Sequence, residues 1–335
     1  MKLLFLPLLV GLTILNGHTQ PLSMQPLATG TSASFRSLSV VSDDVLWASG
    51  TQGTVTVSMD GGKSWKVHVV TGMEKADFRT LYAFDQQRAL VANVGSPGKI
   101  LLTEDGGVTW SAVYTNAHPD TFIDGIDFWN DQEGLVYGDP INGRMLMLHT
   151  RDGGRTWQEI LTAPEVKTGE ASFAASGTGI RCLDKSVILL CTGGTVSRLW
   201  YSTDKGSTWV SCEPPVIQGK SSTGIFSVAA HGRWVVVGGD FQDESQATMN
   251  HFYSDDRGAT WLKPAAGIRG YRECVEYIGD KNWLAVGPRG IDYSADDGKS
   301  WSELSNITGL HVIRKAREGR GVYTAGANGT VLRLR

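Results

Sequence analysis

Five arginines each follow an aromatic residue or an isoleucine at the start of a short apolar run: Arg36, Arg79, Arg181, Arg272 and Arg314. Asp124 and Ser227 hold the matching places in two further runs. Arginine is a planar, permanently charged fork of donors, so several converging on one concavity make a site for carboxylate, sulfate or phosphate. Acids fall near them: Asp124, Asp127, Asp139 and Asp240 on the same predicted face, and Glu170 in a long connection. These acids can neutralise part of the arginine charge, or simply cap loop turns. A second chemistry to weigh is glycoside hydrolysis, with a tyrosine nucleophile, a glutamate and an aspartate acid/base. Tyr271 and Glu273 flank Arg272, but adjacent strand residues point to opposite faces. No C-x-x-C, haem motif, metal-ligand cluster or strand-borne Gly-x-Gly-x-x-Gly occurs, so neither a cofactor nor a metal is expected.

What must position these residues is a repeated turn, Ser/Thr-x-Asp-x-Gly-x-x-Trp. Its copies carry Asp60 and Trp65, Asp105 and Trp110, Asp152 and Trp157, Asp204 and Trp209, Asp256 and Trp261, and Asp296 and Trp301. Each copy lies between two alternating apolar runs, which marks a hairpin. The hydroxyl and carboxylate satisfy local backbone, the glycine tolerates positive φ, and the tryptophan tucks beneath the turn. Six near-identical copies cannot all line one active site, so the expected role of these boxes is structural. Successive box tryptophans are 40 to 52 residues apart. A motif at about 40–50 residues is the signature of a propeller with one four-stranded antiparallel blade per copy.

The fold expected is therefore an all-β, seven-bladed β-propeller over residues 21–335, with six blades as the alternative. In unit one, strand a runs from Phe35, strand b from Val45 and strand c from Thr54. A seventh unit lacks a box: His311 to Lys315, Val322 to Ala325 and Thr330 to Leu334 supply only three strands. The segment from Pro21 to Thr29 is the expected donor of the fourth, because ring closure removes exposed strand edges. Strand a lines the central channel, so the five arginines are expected to ring one mouth of it. The longest connections, Ala163 to Thr178, Glu213 to Thr223 and Gly239 to Asn250, fall in units three to five, where loops on a rigid scaffold can carry function.

Residues 1–20 read as an export signal: Lys2, then an apolar stretch from Leu3 to Leu15, then polar residues. Cleavage is expected between His18 and Met24, releasing a soluble, monomeric protein in the periplasm or outside the cell. No cysteine precedes Cys182, so no acylation is expected at the cleavage point, and no later stretch is apolar enough to span a membrane. Cys182, Cys191, Cys212 and Cys274 are expected to be buried free thiols; strand register places Cys182 opposite Leu189, not Cys191. A net charge of −3 excludes general affinity for nucleic acid.

The boxes resemble the Asp-box, or bacterial neuraminidase repeat. The fuller unit, with Phe35-Arg36 opening strand a, Gly50-Thr51-Gln52-Gly53 and Asp60-Gly61-Gly62-Lys63-Ser64-Trp65, resembles the photosystem II assembly and stability factor propellers and their bacterial relatives. The segments from Gly138 to Arg144 and from Gly169 to Thr178 look like marks of a bacterial subgroup. The resemblance implies a binding or assembly role, with an anionic small molecule, a glycan or an acidic protein segment as partner. The competing resemblance is to sialidases, which use three arginines on a substrate carboxylate. Their Phe/Tyr-Arg-Ile-Pro opening is absent: Phe35-Arg36-Ser37-Leu38 and Phe78-Arg79-Thr80-Leu81 lack the proline.

Overall fold

The computed structural model describes residues 22–335; the expected signal segment lies outside them. Seven antiparallel sheets succeed one another around a ring. Blade one is Phe35–Val40, Leu46–Gly50, Thr54–Ser58 and Lys66–Val69; blade two runs from Phe78–Ala83 to Ser111–Asn116, and blade three from Ile123–Phe128 to Gln158–Glu159. Blade four opens on Ile180–Leu183, blade five on Thr223–His231 and blade six on Cys274–Gly279. Blade seven joins Leu310–Lys315, Val322–Gly326 and Thr330–Leu334 to Met24–Ala28, with Met24 opposite Leu334 and Ala28 opposite Thr330. The two ends of the chain thus close the ring within one blade. Blade five has the weakest outer edge, a single bridge between Tyr253 and Leu262.

Each blade buries both faces against its neighbours, so the inner strands are mostly apolar: Leu46–Gly50 and Ala89–Asn93 are buried at every position. Outer strands touch one neighbour only, and Lys66–Val69 is mostly exposed. Core clusters accordingly lie between blades, as where Trp47 and Val57 of blade one meet Phe78 and Val91 of blade two.

The boxes close on themselves. Ser58 Oγ donates to Asp60 Oδ1 at 2.9 Å and accepts from the Gly62 N–H at 2.8 Å. Asp60 also accepts from the Ser64 N–H at 2.9 Å and the Ser64 hydroxyl at 2.6 Å. The Trp65 indole N–H donates to Gly62 O at 3.1 Å, a bond repeated at Trp110, Trp157, Trp209 and Trp301. Blade five departs from the pattern: the Trp261 N–H has no partner among the described residues. With every carboxylate oxygen engaged locally, Asp60, Asp105 and Asp256 are drawn down to about 2, first by the hydroxyl and N–H of the residue four positions on.

All four cysteines are free thiols. Cys182 stands opposite Ile188, one place from the expected Leu189, in a hairpin centred on residue 185. Among the described residues no helix is long and apolar enough to cross a membrane.

Candidate functional site

The five arginines do not converge, and this corrects the sequence expectation. A β-bulge interrupts the start of strand a between Phe35 and Ser37, Phe78 and Thr80, Ile123 and Gly125, Ile225 and Ser227, and Leu310 and Val312. The bulged residue leaves the ladder and is re-aimed. Those residues are Arg36, Arg79, Asp124, Phe226 and His311. Glycines ending strand b fix the alignment of the blades. A Cβ on Gly50, Gly138, Gly238, Gly287 or Gly326 would lie 1.9–2.6 Å from the carbonyl oxygen of Ser34, Phe122, Gly224, Tyr271 or Gly309. The bulge falls two residues after each of those carbonyls, which makes Glu273, not Arg272, the member from blade six.

Arg272 is fully buried, with Nε 2.8 Å from Asp292 Oδ2 and Nη1 donating to Tyr271 O at 2.8 Å. Arg181 and Arg314 stand opposite Leu189 and Tyr323 and line a separate cavity toward the box end of the channel. Ser227 is buried in the ladder and accepts from the Val275 N–H at 3.1 Å.

Arg36, Arg79, Phe226, Glu273 and His311 share one cavity of about 370 Å3. Its floor comes from the long connection before blade four. Ala174 to Thr178 are buried there. Ser176 Oγ donates to Glu273 O at 2.8 Å in blade six, and Thr178 Oγ1 bonds Ser227 Oγ at 2.6 Å in blade five. Gly177 approaches Ser37 and Arg79 from the remaining side. This segment stops the channel and turns its mouth into a cup. Phe173 stacks on Phe226 with centroids 3.9 Å apart; Phe241 stands edge-on to both, and Tyr271 edge-on to Phe226. Phe241 and Glu244 come from the 239–250 loop.

The cup's cations are only partly spent. Arg36 gives one bond, Nη1 to Glu273 Oε2 at 3.2 Å, and Glu273 also holds His311 Nδ1 at 2.9 Å. Arg79 gives Nε to Asp77 at 2.7 Å. Their side chains remain 25% and 31% exposed, leaving most of each donor fork open to the cavity. Burial, then the Glu273 charge, pushes the Tyr271 hydroxyl well above its ordinary range, which works against its use as a nucleophile.

The other acids hold loops. Asp139 accepts from the Ser172 N–H at 2.8 Å. Glu170 lies at the root of the floor segment and receives Arg198, Thr192 and Trp200. Asp240 accepts from the Gln242 N–H at 2.9 Å and pairs with Lys220 at 3.2 Å. Asp124 is fully buried with neither carboxylate oxygen hydrogen-bonded; burial, then Asp139, raises its pKa against the pull of Arg79. A larger cavity, about 690 Å3, opens on the box side between blades four and five, around Tyr201, Cys212 and Trp234. Its charged lining is Asp184, Asp256 and a single arginine, the exposed Arg257, and Asp256 is spent as an acceptor inside its own box.

The family model for the photosynthesis system II assembly factor YCF48 matches residues 92–211. The photosystem II assembly lipoprotein Ycf48 of Synechococcus sp. (strain CC9902) is 26% identical over 252 residues, 71% of this chain and 67% of that protein. Among solved structures, YCF48 bound to D1 peptide aligns with a TM-score of 0.67 at 15% identity, covering 94% of this chain and 96% of the other. YCF48 from Cyanidioschyzon merolae gives 0.64 at 16% identity over 93% and 98%. The WD40 propeller domain of Doa1 gives 0.63 at 13% over 93% and 97%. At such identities the structural likeness concerns the fold. The chain is an Asp-box propeller that resembles the photosystem II assembly factor propellers.

Proposed function

We propose that this chain is an exported, non-catalytic binding propeller of the assembly-factor kind, and that its cup holds an extended, acidic protein segment. The observation that carries the reading is a pair of half-open guanidinium groups, Arg36 and Arg79, above an aromatic floor in a dead-end cavity. Guanidinium forks suit carboxylate side chains, and the Phe173, Phe226 and Phe241 cluster suits an apolar neighbour on the same segment. The likeness to an assembly lipoprotein and to a YCF48 solved with a D1 peptide supports a peptide over a glycan as occupant. Residues 1–20 supply the export step.

The test is a calorimetric titration with acidic peptides and acidic glycans, run beside a fluorogenic acidic glycoside. Peptide binding without glycoside turnover is the expected result. Turnover that disappears in Arg36→Gln would replace this reading with a sialidase-type hydrolase.

A further inference from the structure

The stopped channel keeps a second charged chamber at its box end, separate from the cup. Arg181, Arg314 and Arg317 meet Asp127 and Glu276 there across a cavity of about 100 Å3, with Lys315 also on the wall. Donors outnumber acceptors. Arg181 is satisfied: Nε donates to Val228 O at 2.8 Å, and Nη2 reaches Val275 O at 3.2 Å and Glu276 Oε2 at 2.9 Å. Arg317 donates to Ser39 Oγ at 3.1 Å and to Ala83 O, with its guanidinium 4.6 Å from the Tyr82 ring centroid. Asp127 accepts from the Cys182 N–H at 2.8 Å.

Arg314 is the exception. Its nearest carboxylate oxygen is that same Glu276 Oε2, at 3.7 Å, and it donates no hydrogen bond among the described residues. Its side chain is only 16% exposed. A half-buried guanidinium beside a second one favours an acceptor within reach of its free donors. Burial, then the neighbouring Arg181 charge, lowers the Arg314 pKa against the pull of Glu276.

We infer that this chamber is a binding site for a small inorganic anion, of a size between chloride and phosphate, held by Arg314 with Arg317 and Arg181 around it. The cavity volume is too small for a peptide side chain together with its backbone. The buried 174–178 stretch lies between the cup and this chamber, so a macromolecular partner cannot thread through from the cup. The anion would tie blades four and seven together at the axis, through Arg181 on one side and Arg314 with Arg317 on the other.

The test measures the thermal midpoint of the full mature chain against chloride, then phosphate, at constant ionic strength set with a bulky organic anion. A ligand that binds only the folded state raises the midpoint with concentration. The wild type is expected to show that rise for one or both anions, and Arg314→Gln to weaken the response by about tenfold or more, as for loss of a charged hydrogen bond. Equal responses in the two proteins, or no response in the wild type, would overturn the site. Should Arg314→Gln fail to fold, wild-type crystals soaked in bromide decide the matter. An anomalous peak between Arg314 and Arg317 is expected, and its absence together with no density there in phosphate-soaked crystals refutes the site. Acidic-peptide binding at the cup should be unchanged by Arg314→Gln, which keeps the two proposals distinguishable.

Discussion

Glu170→Ala should release the floor of the cup. The Glu170 carboxylate is buried and takes five donors: the Lys167 N–H, Thr192 Oγ1, Arg198 Nε and Nη2, and Trp200 Nε1. Truncation strands Arg198, itself 8% exposed, without its counter-charge. Breaking a buried pair from one side costs about 3–5 kcal/mol. At about 2 °C per kcal/mol for a domain of this size, the midpoint should fall by roughly 6–10 °C. The double variant Glu170→Leu, Arg198→Met should recover most of the loss, since it removes the stranded charge as well. The pH dependence has a definite sign. Burial alone would raise the Glu170 pKa, but Arg198 and then Thr192 hold it below the ordinary range. Its contribution is therefore present above the unfolded carboxylate pKa and lost as pH falls through the lower folded value. The deficit of Glu170→Ala against wild type should shrink below about pH 4. Chemical denaturation at several pH values measures this, and limited proteolysis should cut the variant within 169–178. A cost below about 1 kcal/mol, or a double variant no better than the single one, would refute the anchoring role.

Asp124→Asn should raise the midpoint at pH 7, because the raised pKa means the charged form opposes folding there; the gain should fade below about pH 4, where Asp124 is protonated in both states. Trp110→Ala should cost about 3–5 kcal/mol in denaturant titrations and leave ligand affinity unchanged, since its indole N–H serves only Gly107 O; a stable variant with lost binding would assign function to the box face. Deleting residues 22–29 uncovers the Thr330–Leu334 edge and should promote aggregation; a monomeric deletion variant with an unaltered midpoint, by size-exclusion and melting, would show that closure does not depend on this strand.

Most of the fold was legible because it repeats. Each box combines an alternating run, a hydroxyl–carboxylate turn and a large aromatic, and strands such as Ala89–Asn93, Ile123–Phe128 and Val187–Cys191 begin and end where the pattern places them. The site was harder to read, for a physical reason. A bulge adds a residue to strand a that no periodicity reveals, so aligning on arginine put Arg181, Arg272 and Arg314 beside Arg36 when the backbone does not. Aligning on the glycines that end strand b would have found Glu273 and His311, because Gly287 and Gly326 are held by the same carbonyl contact as Gly50. The floor segment could not be inferred from local pattern at all. Ser176 and Thr178 bond to blades six and five, contacts about 50 to 100 residues away in sequence that only ring closure brings together.

The central claim is that Arg36 and Arg79 of the cup hold an acidic segment. The direct measurement is the affinity of one acidic peptide for the wild type, Arg36→Gln, Arg79→Gln and, as a control, Arg257→Gln, which removes the same charge from the exposed box side. A charged hydrogen bond is worth about 1.5–3 kcal/mol, so each cup variant should weaken binding by roughly ten- to a hundredfold, with melting midpoints preserved and the control unchanged. Undiminished affinity in both cup variants, or a loss confined to Arg257→Gln, would contradict the account.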